Sequence, residues 1–116
     1  MHSGSTVSVL RIYIGESHYH QHVPVYEAIV YRARERKLAG ATVFKSSLGF
    51  GGAELRPSQG QHPYRVSDDA PAIVEIVDQE DRLQDFMPVV RDMLGNRGLV
   101  TLHTAAVLHY SAAVEK

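Results

Sequence analysis

Thr6-Val7-Ser8-Val9-Leu10-Arg11-Ile12-Tyr13-Ile14-Gly15 decides how the rest of the chain is read. In an extended chain successive side chains point to opposite sides. Val7, Val9, Arg11 and Tyr13 therefore share one side, and Ser8, Leu10, Ile12 and Ile14 the other. Both sets carry large apolar groups, which makes the segment a central strand rather than an edge. Gly15 closes it, and Glu16 to Val23 follows as a polar, histidine-rich connection.

Beyond it, Pro24 is placed as the first residue of a helix, where its missing N–H costs nothing. Val25, Ile29, Ala33 and Leu38, with Tyr26 and Ala28, keep helical spacing, and Glu27, Arg32, Arg34, Glu35 and Arg36 occupy the other side. Gly40 is the expected stop. Ala41 to Ser47 reads as a second strand. Past a long loop, Tyr64 to Val66 reads as a short strand extension, Asp68-Asp69 with Pro71 as a turn, and Ala72 to Asp78 as a strand. A second helix over Gln79 to Gly95 carries the apolar stripe Leu83, Phe86, Met87, Val90, Met93 and Leu94, with Pro88 as a kink point. Gly95-Asn96-Arg97-Gly98 forms a turn, and Leu99 to His109, rich in β-branched residues, the last strand.

The order βαββαβ predicts an α+β, ferredoxin-like sandwich, an antiparallel sheet with both helices on one face. The helix-free face would carry Val7, Val9 and Tyr13 or their alternates on the other side of the strand, more apolar surface than a monomer usually leaves in water, which predicts association through it. At 116 residues the chain suits a single domain, residues 6–116, after a disordered tip, residues 1–5. Twelve basic against 13 acidic residues, net charge -1, carry no general footprint for nucleic acid or an anionic membrane. The absence of cysteine excludes disulfides, thiolate nucleophiles and cysteine-held metals. Met1 to Ser5 has neither the basic region nor the apolar core of a leader peptide, and no apolar run approaches the ~20 residues of a membrane span. The expectation is a cytoplasmic protein that is not itself membrane-embedded.

Several segments resemble the DUF190 family (domain of unknown function 190). They are Leu10-Arg11-Ile12-Tyr13-Ile14-Gly15-Glu16, Tyr19-His20, Pro24 to Val30, Leu38 to Val43, Gly49-Phe50-Gly51, Ile73 to Asp78 and Gly98 to Leu102, in that order. That family is similar to the PII signal-transduction proteins, whose ferredoxin-like subunits form trimers. The resemblance implies a homotrimer, an adenine nucleotide or similar small effector in clefts between subunits, and a long loop after the second strand that contacts a target protein, often a membrane transporter. No cofactor is required under this reading. The departure from the family lies in that loop. Relatives continue after Gly-Phe-Gly with a Ser-x-Ile-His-like segment, whereas this chain reads Ala53-Glu54-Leu55-Arg56-Pro57-Ser58-Gln59-Gly60-Gln61-His62.

The candidate effector residues are Gly49, Phe50, Gly51 and Gly52, which open the loop of residues 49–63 and whose backbone amides can turn toward a phosphate. With them go Gly95, Arg97 and Gly98, in the connection that supplies amides and a cation to phosphates in PII proteins. The alternative for Arg97 is a solvated arginine near a helix C-terminus. Lys45 is either an exposed strand-end lysine or a cleft cation. Arg11 is either a ligand contact or the partner of Glu75 or Glu27, and an ion pair is favoured. No Walker motif and no nucleophile elbow occur, so an enzyme is not expected. The competing function is a metal-binding ferredoxin-like trimer of the divalent-cation tolerance type. An extended segment would put His18, His20 and His22 on one side, as zinc or copper requires. A third reading is a scaffold with no effector.

Overall fold

The computed structural model describes residues 2–49 and 70–111. Strand β1 spans Thr6–Gly15, a small hairpin β2 (Tyr19–His20) and β3 (Val23–Pro24), helix α1 Val25–Glu35, and β4 Gly40–Lys45. Strand β5 (Pro71–Asp78), helix α2 (Glu80–Leu94) and β6 (Leu99–Ala106) complete the chain. The main sheet has the order β4-β5-β1-β6, antiparallel throughout, and β1 lies inside it as its two-sided pattern requires. This is the α+β, ferredoxin-like arrangement, with both helices over one face.

That face is made by Leu10, Ile12 and Ile14 of β1 and Val74 and Ile76 of β5, all fully or almost fully buried. Helix α1 lays Val25, Ile29 and Ala33 on it, and α2 lays Leu83, Phe86, Met87, Val90, Met93 and Leu94. Each such side chain taken from water contributes about 1.5–3 kcal/mol, which is what holds two short helices on the sheet. Helix α2 runs unbroken through the exposed Pro88, at the expense of one intrahelical bond to the Gln84 carbonyl. Among the described residues no helix is long and apolar enough to cross a membrane.

The other face is more closed than the sequence suggests. Val7 and Val9 are buried within the single chain, because β5 and β6 flank them with Val77, His103 and Ala105. The exposed apolar groups on this side lie at its margins, Phe44 on β4 and Leu99 on β6.

Three local expectations are corrected. Gly40 begins β4; the helix stops earlier, at Lys37, which takes a left-handed φ of 59°. Leu38 N–H donates to Ala33 O (3.1 Å) and Lys37 N–H to Arg34 O (3.0 Å), the paired bonds of a Schellman motif. A side chain in this conformation is strained, so Lys37→Gly is expected to stabilise the protein by about 0.5–1 kcal/mol. A rise in the urea midpoint at unchanged m checks this. Pro71 is the first residue of β5 rather than part of a turn, a position that needs no ladder N–H. The last strand ends at Ala106, short of His109. His2 to Ser5 form a turn beside the end of β6: Gly4 N–H donates to Val107 O (2.8 Å) and Tyr110 N–H to Ser3 Oγ (3.0 Å).

Candidate functional site

The strand register brings the end of β1, the end of β4 and the starts of β5 and β6 to one end of the sheet. Gly15 lies opposite Pro71, Lys45 opposite Ala72, and Tyr13 opposite Leu99. Lys45 follows Ala41 and Val43 on the helix-covered side and reaches under the first turn of α1. Its Nζ stands 5.0 Å from the centre of the Tyr26 ring and 3.5 Å from Glu16 Oε2. Tyr26 first, and then Glu16, push the ammonium above the ordinary lysine range. The Lys45 and Glu16 side chains are both about half exposed, so their pair adds little stability and the cation is available for exchange.

The two stems of the long loop are tied at this same point. Ser46 donates twice to Pro71 O, from its N–H (3.2 Å) and its hydroxyl (2.7 Å), while Glu16 N–H donates to Ala70 O (3.0 Å). Glu16 thus touches Lys45 on one stem and Ala70 on the other. Gly49 is the last described residue before the loop, and a Cβ there would stand 3.5 Å from Pro71, an ordinary contact. Phe50, Gly51 and Gly52, with Tyr64 to Val66, lie outside the described residues.

At the opposite edge of the sheet, the connection from α2 to β6 carries the second group. Gly95 (φ 65°) ends the helix, its N–H donating to Arg91 O (3.0 Å), and Arg97 N–H donates to Leu94 O (3.2 Å). Those two amides are committed to the helix end, so Arg97 contributes through its side chain. Its Nε is buried and has no hydrogen-bond partner among the described residues. Gly98 is required sterically: with φ 92°, an added Cβ would stand 3.3 Å from Tyr13 O and 3.2 Å from Leu94 Cδ2.

Arg11 does not join either group. It projects from the helix-free side, where its Nε donates to Glu75 Oε2 at 2.9 Å. Glu75, and then Tyr13, push its pKa up further. The register sets this: Arg11 faces Glu75 directly across β1 and β5, on the face away from Lys45.

The three histidines are not brought together. The chain reverses at Gln21 (φ 51°) and His22 (φ 71°), a two-residue hairpin turn with both central residues left-handed. The extended segment that would align them is therefore absent. His18 is buried beneath the start of α1, its carbonyl accepting Val25 N–H (2.8 Å). No group of three histidine or carboxylate side chains suited to a metal ion occurs among the described residues.

Glu16 and Tyr26 were missed as site residues because they follow β1 and open α1. Neither position carries a local signal of proximity to Lys45.

The DUF190 family model, described as an uncharacterized ACR, COG1993, matches residues 7–107. The chain belongs to the DUF190 family. A UPF0166 protein of Aquifex aeolicus is 30% identical to this DUF190 chain over 101 residues, covering 87% of it and 92% of the relative. A UPF0166 protein of Methanocaldococcus jannaschii is 28% identical over 94 residues, covering 81% and 84%. Among solved structures, CPII of Thiomonas intermedia K12, a nitrogen regulatory PII-like protein, superposes in its apo form with a TM-score of 0.51. That comparison has 16% identity, with 86% of this chain and 89% of CPII covered. The CPII complex with ADP, AMP and acetate gives a TM-score of 0.52 at 18% identity, with 87% of each chain covered. At this identity the likeness establishes a shared PII-like fold.

Proposed function

We propose that this DUF190 protein is a PII-like sensor of the cytoplasm. It forms a homotrimer, binds an adenine nucleotide between subunits, and reports occupancy to a target protein through the loop of residues 49–63. It is regulatory rather than catalytic. The observation that supports this most is the division of the candidate residues. Lys45 and Gly49 stand at the β4 edge and Arg97 and Gly98 at the β6 edge, both at the same end of the sheet. Three interstrand steps, about 14 Å, separate the two edges within one chain.

A second copy resolves the separation. In the sheet order, β4 and β6 run in opposite directions. If the β6 edge of one copy meets the β4 edge of the next, the strands are antiparallel and the loop-bearing ends coincide. Such a head-to-tail contact closes into a ring where the rotation between copies allows it, and three copies is the number the family resemblance implies. Lys45 of one subunit and Arg97 of its neighbour then face a single cleft. Phosphate oxygens would satisfy Arg97 Nε and draw Lys45 from Glu16 and Tyr26. Because Glu16 also touches the far stem of the loop, that exchange biases the loop between its free and bound arrangements. The nucleotides in the CPII complexes, ADP and AMP, favour the same ligand class.

Calorimetric titration with ATP, ADP and AMP, alongside a light-scattering mass, tests the reading. The expected result is a trimer with saturable binding, weakened roughly 10–100-fold by Arg97→Ala, the value of one charge-assisted contact. Lys45→Gln is expected to weaken it less, because its ion pair must first be broken. Absence of binding by all three nucleotides, or undiminished affinity in Arg97→Ala, overturns the assignment.

A further inference from the structure

We propose a second binding site on the outer surface of the helix layer, between the β2–β3 hairpin and α1, whose ligand is a small organic carboxylate. The crevice has a volume of about 260 Å³. Its floor is apolar, made by Val23, Ala28 and Met93, and its rim carries His20, Gln21 and Arg32. The Tyr31 ring forms one wall. An apolar floor beneath a few convergent polar groups is the general form of a small-molecule site.

The polar groups define the ligand's charge. Arg32 forms an ion pair with Glu35, Nε standing 3.2 Å from Oε1, and its two terminal amino groups have no partner among the described residues. Those amino groups match the two oxygens of a carboxylate. The His20 ring and the Gln21 amide likewise make no hydrogen bond among the described residues. Tyr31 hydroxyl donates to Glu27 Oε1 (3.2 Å), so its proton is engaged and the residue contributes its ring face. Glu27 and Glu35, the nearby carboxylates, do not line the crevice. Inorganic anions do not use the Val23, Ala28 and Met93 floor; a carboxylate on a short apolar body uses both parts.

The backbone supports the assignment independently. A two-residue turn of this type normally recruits asparagine and glycine, yet here Gln21 and His22 hold φ of 51° and 71°. Left-handed backbone at such residues costs roughly 1 kcal/mol each. Gln21 and its neighbour His20 both line the crevice, and strain of this kind collects at binding sites.

The test is an NMR titration of the full chain with butanoate, with butylamine as control, read at the Met93 methyl and the His20 ring. Saturable shifts at both positions with butanoate alone are expected. Arg32→Gln should weaken the interaction about tenfold or more while retaining the wild-type melting temperature. Ala28→Phe, which fills the floor, should abolish it, whereas Arg97→Ala should leave it unchanged. The proposal is overturned by shifts that fail to saturate through tens of millimolar, by equal shifts with butylamine, or by undiminished binding in Arg32→Gln. Binding of an acidic peptide without any response to butanoate also overturns it, in favour of a protein partner.

Discussion

Replacing Phe86 with alanine is expected to destabilise the protein by about 4 kcal/mol and lower its melting temperature by roughly 15 °C. Phe86 is 1% exposed and is the largest of the fully buried side chains among the described residues. It descends from the middle of α2 among Leu83, Met87 and Val90 of its own helix and the β1, β5 and α1 residues of the core. Arg36, at the end of α1, places its guanidinium carbon 6.0 Å from the ring centre, so the ring also joins the two helices. Alanine removes most of the buried area and leaves a void beside a surface crevice lined by Arg36, Leu38, Arg82 and Asp85. Phe86→Leu keeps much of the volume and is expected to cost about 1 kcal/mol. Urea unfolding at one fixed protein concentration separates the two variants, since association adds its own stabilisation. A loss below about 1.5 kcal/mol for alanine would mean that neighbouring side chains close the void, and would refute Phe86 as the keystone of the helix layer.

Asp78→Ala is expected to cost about 3 kcal/mol, for a different reason. Asp78 is a charged residue only 3% exposed. Its Oδ2 accepts Ala39 N–H and an Arg82 amino group, both at 2.9 Å, and its Oδ1 accepts Gln79 N–H at 2.6 Å. Arg82 continues the network to Arg36 O at 2.9 Å. One carboxylate therefore joins the exit of α1, the end of β5 and the entry to α2, where negative charge also suits the helix dipole. Removing it leaves two backbone donors with no acceptor. Arg82→Ala should cost only about 1 kcal/mol, because that side chain is 44% exposed and water replaces its partner. Asp78→Asn, which keeps one acceptor oxygen, should fall between them. Equal losses for Asp78→Ala and Arg82→Ala would show that the ion pair alone matters and would refute the network. Seven register steps, from Asp78 to Pro71, separate this network from the loop-bearing end. That is about 23 Å, so a folded Asp78→Asn variant should bind nucleotide as the wild type does.

Much of this architecture was legible in the chain. The two-sided pattern of Thr6 to Gly15, the stripe Leu83 to Leu94 and the alternation of Ala72 to Asp78 each name an element and its buried face. Boundaries were less legible where hydrogen bonds outweighed residue preference. Lys37 ends α1 in a conformation that sequence reasoning reserves for glycine, because two backbone bonds close around it. The Gln21-His22 reversal lacked the asparagine or glycine that announces such a turn. Of the candidate residues, Arg97 and Gly98 lie in the close-packed connection between α2 and β6, and Arg11 forms the ion pair with Glu75 that the sequence reading favoured, on the other face. The loop glycines Gly51 and Gly52 lie outside the described residues.

Local pattern named the four long strands, the two helices and the family, since periodicity and turn residues act between near neighbours. Which charges meet was left to the packing of whole elements. Register across β1 and β5 gives Arg11 to Glu75, and the seating of α1 over the end of β4 gives Lys45 to Tyr26 and Glu16. Those contacts join residues remote along the chain. They are set by how whole elements pack, and no local pattern encodes them.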